Sequence, residues 1–134
     1  MSDPFDIGRL RALNGTAGFN AWSDMCVVKA VHGEADLSLA WKRELGQYSG
    51  FLHVGVISAL LDTVAGFAAA TVAMIASHLS ANFLIPAVGS SFSAAGQVVR
   101  AGKRQIFARS ELFASTDSGE RKLVATGEVL MLPA

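Results

Sequence analysis

The sequence predicts a single α+β domain, spanning residues 1–134, in which an antiparallel sheet of about six strands curls around one long apolar helix. Three observations carry this. The run from about His53 to about Ala73 is long, apolar and free of Lys and Arg. Segments of period-two patterning precede it and follow it. The 134 residues suit one domain with one core.

Composition narrows the functional classes. Apolar residues make up 51% of the chain and charged residues 16%, enough for a compact interior and unlike a disordered chain. The formal net charge is zero and no basic stripe runs through the sequence, which argues against a nucleic-acid partner. The single cysteine, Cys26, excludes a disulfide framework and points to a cytoplasmic location. Flanked by Val27 and Val28, it reads as a packed strand thiol. His32, His53 and His78 are scattered, with no ligand spacing for a metal, and no cofactor is expected.

The N-terminal Met1-Ser2-Asp3-Pro4-Phe5-Asp6 is acidic and lacks the apolar stretch of a signal peptide. Residues 4–14 suit a short amphipathic helix with Phe5, Leu10 and Leu13 as its contacts, broken by Asn14-Gly15 and Gly18. Alternation from Cys26 to His32 puts Val27 and Val31 on one side and Cys26, Val28 and Ala30 on the other. Gly33-Glu34 turns the chain. Leu37, Leu39 and Trp41 then face one way, which completes a hairpin.

Residues 44–52 form a loop containing Gly46, Ser49 and Gly50. The segment from Phe51 to Ala76 is apolar enough to weigh as a membrane span. Asp62 near its centre, its Ala and Gly content and the absence of flanking Lys or Arg argue instead for a helix buried in protein. After it, Leu79, Ala81, Phe83 and Ile85 alternate with His78, Ser80 and Asn82 until Pro86. Strands at about 91–101, 104–115 and 121–132 complete the pattern, separated by Ala101-Gly102-Lys103 and by residues 116–120. One helix cannot cover both faces of such a sheet. The sheet therefore curls around the helix, the hotdog arrangement, and its outer face meets another copy.

Helical spacing divides the long helix into two stripes. Ile57, Leu60, Leu61, Val64, Phe67 and Thr71 form a large apolar stripe aimed at the sheet. Gly55, Ser58, Ala59, Asp62, Ala65, Gly66 and Ala69 form a small-residue stripe that lets a backbone or a slender ligand come close. Asp62 is its one acidic member. Between Glu44 and Arg100 there is no other Asp, Glu, Lys or Arg. A carboxylate so placed either bonds the backbone of a neighbouring chain or lines a cleft as base or nucleophile. The helix N-terminus near Val54 and Gly55 offers unpaired N–H groups suited to a developing oxyanion. These lie about 10–12 Å along the axis from Asp62, which favours a cleft shared between subunits. His53 either polarises substrate or caps the loop. Gln47 either orients water or is an ordinary loop residue.

Residues 50–63, Gly50-Phe51-Leu52-His53-Val54-Gly55 through Asp62-Thr63, resemble the G-x-x-H-G-G-x-x-x-x-x-x-D segment of PaaI-like hotdog acyl-CoA thioesterases. Asn82-Phe83-Leu84-Ile85-Pro86-Ala87 resembles the family's N-F-L-x-P-A strand ending. Val99-Arg100-Ala101-Gly102-Lys103-Arg104 is similar to its basic turn, and Val124-Ala125-Thr126-Gly127 to its last strand. The resemblance covers roughly residues 45–132. It implies hydrolysis of acyl-CoA, with Asp62 as catalytic carboxylate, His53 and Gly55 as the matching motif residues, and Gln47 near the attacking water. It places Lys103 and Arg104 where CoA phosphates are met. Phe51, Leu52, Ser58, Phe67 and Phe83 are candidates to line an apolar acyl site for an aromatic or medium-chain group. Two positions depart from the pattern. Val54 replaces the first Gly of the pair, and Ala76 stands where relatives often carry Ser or Thr, with Ser77 expected to point to the other face. A hotdog hydratase or dehydratase is the first alternative, although no H-F-P-G segment is found; a non-catalytic acyl-CoA-binding module is the second. A homodimer or homotetramer is expected in each case.

Overall fold

Inward-facing side chains alternate along four long strands, and this is what builds the core of the molecule. The computed structural model describes residues 6–69 and 74–133. Its elements are α1 (Ile7–Thr16), α2 (Gly18–Ser23), β1 (Cys26–Val31), β2 (Glu34–Ala40), α3 (Val54–Ala69), β3 (Met74–Phe83), β4 (Ser91–Ala101), β5 (Ile106–Ser115) and β6 (Arg121–Pro133), with short 3-10 turns at Arg43–Leu45 and Tyr48–Gly50. The strands form one sheet in the order β1-β2-β4-β5-β6-β3, with every neighbour antiparallel. This is the expected hotdog: a six-stranded sheet with α3 lying across β2, β4 and β5.

Leu37, Leu39, Phe92, Ala94, Leu112, Ala114, Val124 and Ala125 are buried against Ile57, Leu60, Leu61 and Val64 of α3. Burying each large side chain contributes roughly 1.5–3 kcal/mol. Glycines beneath the helix let it approach the sheet. A Cβ at Gly96 would fall 2.5 Å from the Val64 carbonyl oxygen, and one at Gly127 3.3 Å from Leu61 Cβ.

Several expectations are corrected. The first helix does not stop at Asn14-Gly15; it runs to Thr16, and Gly18 opens α2 instead of ending the helical region. Asn14 holds its place in the interior because its Nδ2 donates to the Met25 carbonyl at 2.8 Å. In β1 a bulge between Val27 and Lys29 breaks the alternation, so Val27 is buried while Val31 is exposed. Cys26, expected as a packed thiol, is exposed at the start of this edge strand. In α3, Ala65 and Ala69 belong to the small-residue stripe yet are buried, in a second cluster with Ile106, Ala108, Val129 and Met131. Small side chains there admit the sheet and not a ligand. The helix is described to Ala69, so Thr71 and the expected end at Ala73 lie outside the described residues. Of the face shared by Leu79, Ala81, Phe83 and Ile85, the last two are exposed, because β3 is the other edge of the sheet and Ile85 lies beyond its end.

Candidate active site

The segment before α3 is a tight, internally bonded loop. The Gln47 amide donates to the Phe51 carbonyl at 2.7 Å, the His53 amide to Leu45 at 2.9 Å, and the Leu52 amide to Ala87 at 2.9 Å. Ser49 and Gly50 turn the loop with φ of 61° and 75°. The loop delivers His53 to the position that caps α3. Its Nδ1 accepts from the Gly55 amide at 2.8 Å, so the ring proton sits on Nε2. Capping, one of the two roles open to His53, is therefore what this chain displays. Gly55 is needed for it, since a Cβ there would lie 3.0 Å from Nδ1 and 3.2 Å from Cε1.

This changes the expected pair of oxyanion donors. Within the chain the Gly55 N–H is already engaged by the imidazole. The Val54 amide has no acceptor among the described residues. Val54 itself is exposed, and its departure from glycine keeps a backbone N–H at this position.

Asp62 lies two turns further along α3, half-buried, with no hydrogen-bond or ion-pair partner among the described residues. Burial disfavours its charge and raises its carboxyl above the usual 3.8. It stands between two clefts. On one side is a cavity of about 500 Å³, between α3 and the N-terminal helices. On the other is a more open cleft of about 390 Å³ that also takes in Gly55 and Ser58. Asp62 and Ala76 line both.

Strict alternation would point Ser77 away from this region. Between Ala76 and His78 the β3–β6 register shifts, leaving Ser77 as the extra residue of a bulge. Strict alternation is lost there. Ala76, Ser77 and His78 all line the open cleft with Asp62. Ser77 thus lies along the cleft that Asp62 lines, one residue beyond the position where motif spacing looks for a hydroxyl. The Ser77 Oγ lies 3.4 Å from the Leu130 carbonyl, to which it donates.

The remaining candidates fall into two further places. Gln47, Phe51, Leu52, Val54 and Phe83 gather in a groove of about 300 Å³ at the loop and the end of β3. Leu52 is only 1% exposed and forms the floor, not a free contact. Lys103 and Arg104 sit on the β4–β5 turn, where with Arg100 and Phe107 they line a cleft of about 420 Å³. One chain therefore does not unite Asp62 with the loop residues. From Val54 to Asp62 the helix rises about 12 Å. Sequence reasoning did not find Leu13, Thr16 and Asn20 of the N-terminal helices, which line the larger cavity with Asp62. No motif marks them; only the packing of α1 against β1, beside α3, brings them there.

Comparisons with known proteins bear on this geometry. Residues 49–120 match the family described as the thioesterase superfamily. A protein of Saccharolobus solfataricus that carries a provisional esterase name is 34% identical over 92 residues, 66% of each chain. The structure of a thioesterase family protein from Silicibacter pomeroyi superposes with a TM-score of 0.88 at 28% identity, covering 92% of this chain and 94% of that one. The PaaI protein of E. coli, from the phenylacetic acid degradation operon, superposes with a TM-score of 0.83 at 18% identity over 98% of this chain and 93% of its own. No described helix is long and apolar enough to cross a membrane. By these matches the chain belongs to the thioesterase superfamily: it is a thioester hydrolase built on a PaaI-like hotdog fold.

Proposed function

We propose that the chain is an acyl-CoA thioesterase in which Asp62 is the catalytic carboxylate. The observation that carries this is the half-buried, unpartnered Asp62 at the wall between two clefts. An isolated carboxyl in such a place costs stability, and a catalytic use explains its presence. As general base, Asp62 takes a proton from water while the water oxygen bonds to the thioester carbonyl carbon. The carbonyl electrons move onto oxygen, where a backbone N–H such as that of Val54 stabilises the charge. Collapse of this intermediate breaks the C–S bond. The CoA thiolate leaves and is protonated, and the free acid remains. As nucleophile, Asp62 would bond the carbonyl carbon first, and water would hydrolyse the mixed anhydride.

The assembly we propose is a homodimer or a homotetramer. Asp62 and the Val54–Gln47 groove lie in separate clefts of one chain, so a second copy is needed to face one with the other. β3 is a ten-residue edge strand carrying exposed Ile75 and Phe83, the kind of edge that proteins pair or cover. Gln47 would then orient water beside the partner's carboxylate, and Phe51, Phe83 and Ser58 would meet the thioester and its arm. Lys103 and Arg104 would hold CoA phosphates. A cytoplasmic location goes with this reading, from the single exposed thiol.

The test is thiol release from a panel of acyl-CoAs by the purified protein, with light scattering on the same sample. Cleavage by an oligomer supports the reading. CoA-ester binding without cleavage would leave a binding module, and a monomer that hydrolyses as well as any assembly would end the shared-cleft proposal.

A further inference from the structure

The two edges of the sheet are finished differently. At one lies β3, whose side-chain hydrogen bonds among the described residues run inward to β6: Ser77 Oγ to the Leu130 carbonyl and Asn82 Nδ2 to Thr126 Oγ1. At the other lies β1, with α1 packed along it. An edge strand turns the N–H and C=O of alternate residues away from its neighbour, where the strand of another chain can pair with them. Around the start of β1, side chains have taken these groups. The Val27 carbonyl accepts from Arg11 Nε at 3.0 Å. The Met25 carbonyl accepts from Asn14 Nδ2 at 2.8 Å, and the Met25 N–H donates to Ser23 Oγ at 3.4 Å. Asn20 Nδ2 donates to Asn14 Oδ1 at 3.0 Å and so fixes which way the Asn14 amide is turned. Lys42, just past β2, ties down the same segment: its Nζ donates to the Trp22 carbonyl at 2.6 Å and pairs with Asp24 at 3.2 Å. Beyond Val27 the protection changes in kind. The register shifts between Val27 and Lys29, and such a bulge twists an edge away from flat pairing. Lys29 then adds a charge, ion-paired with Glu34 at 3.3 Å.

We infer that α1 is a guard on the β1 edge: Arg11 and Asn14 occupy the backbone acceptors that the strand of a second copy would use, so the sheet can be extended from β3 and not from β1. The inference is independent of the catalytic reading. Arg11 and Asn14 are three residues apart, so they share one face of α1. The carbonyls they reach belong to alternate residues, the set that an edge strand turns outward. The edge has reason to be guarded. Val28 and Val31 of β1 are exposed, and their apolar surface is what a second strand would bury. A sheet open at both edges lets copy add to copy without closure, whereas one closed edge stops growth at a closed assembly.

The experiment uses the full chain with pyrene on Cys26, its one thiol, exposed at the start of β1. Light scattering, excimer emission and thermal melts are read across a concentration series. The parent should keep one size and show no excimer. Arg11→Met keeps an apolar stem and loses the donor. It should populate larger, excimer-emitting species roughly tenfold more than the parent, the scale of one hydrogen bond to a charged group. Arg11→Lys keeps a cationic donor and should stay near the parent. Val28→Lys added to Arg11→Met places a charge on the exposed edge, and it should return the size to the parent's without raising the melting temperature. Asn14→Leu loses the other donor at similar volume. It is the second probe should Arg11→Met fail to fold, and Val28→Lys should reverse its association likewise. An Arg11→Met protein that keeps the parent's size at every concentration would overturn the guard, as would excimer emission from the parent. Larger species without excimer emission, or species that Val28→Lys does not dissolve, would also overturn it, because the copies would then be meeting elsewhere.

Discussion

The imidazole of His53 accepts the backbone N–H of Gly55 across 2.8 Å at the first turn of α3. The bond makes His53 the cap of α3 and engages the Gly55 amide, while the Val54 amide has no acceptor among the described residues. His53→Ala should lower stability by about 0.5–2 kcal/mol, the usual value of a lost cap. It should also lower turnover, because the Val54 amide would no longer be held in place. His53→Asn, which can accept the same N–H, should recover most of the stability in a thermal melt. Equal melting temperatures for parent and His53→Ala would show that the cap contributes nothing.

Asp62→Asn keeps the shape of the side chain and removes the carboxylate. Turnover should fall by roughly 10²-fold or more, on the scale of a lost general base. The variant should keep its circular dichroism spectrum and oligomeric state. Thiol release at near-parent rates would remove Asp62 from the mechanism.

The same carboxyl makes a statement about pH. Its folded pKa is raised above 3.8 by burial, so the folded protein holds the proton more tightly than the unfolded chain. Stability from the neutral form is complete at acid pH and declines as pH rises from the unfolded value through the raised one. Above that window a constant penalty remains. Asp62→Asn should therefore melt higher than the parent at neutral pH, by a small margin because the group is partly open to water, and the margin should vanish in acid. The acid limb of kcat/KM should inflect above 3.8. A neutral-pH melt that is lower in the variant would mean that the charged form is stabilised by a partner.

Lys103 and Arg104 of the β4–β5 turn line one cleft with Arg100 of β4, and the chain as a whole carries no net charge. Any pull on CoA phosphates is therefore local. Lys103→Ala with Arg104→Ala should raise KM for acyl-CoA several-fold with kcat nearly constant, since uniform binding is what is removed. A thioester without the nucleotide should be indifferent to the change, and salt should reproduce it in the parent. Unchanged CoA affinity at low salt would shift attention to Arg100 and Arg109.

Gly96→Ala probes the closeness of helix and sheet. Its Cβ would meet the Val64 carbonyl at 2.5 Å and the Val64 carbonyl carbon at 2.8 Å, and backbone cannot step aside cheaply. A loss of about 1–3 kcal/mol is expected, the range for overpacking. Gly66→Ala on the same helix, with nothing within 4 Å, is the control and should stay near the parent in chemical denaturation.

Much of this molecule is decided within short stretches of sequence. Ile57, Leu60, Leu61, Val64 and Phe67 recur at helical spacing, and Ala35, Leu37 and Leu39 alternate, so α3 and β2 follow from local patterns whose apolar faces have one direction to go. Asp62 was legible for the same reason: a lone acid on an apolar helix stands out without any knowledge of its neighbours. Other features depend on contacts distant in sequence. The bulge at Ser77 arises from pairing with β6, more than fifty residues away, and it overrides the alternation that sequence alone assumes. The place of Cys26 depends on β1 being a sheet edge, which is a property of strand order and not of the residues around the thiol. The roof over Asp62 comes from Leu13 and Asn20, whose segment has no strong periodicity and is set in place by Asn14 bonding to Met25. Periodicity reports how an element meets its own core, because burial repeats with the backbone. Which elements become neighbours is settled by pairing and packing free energies summed over the whole chain, and a cavity between them has no local signature.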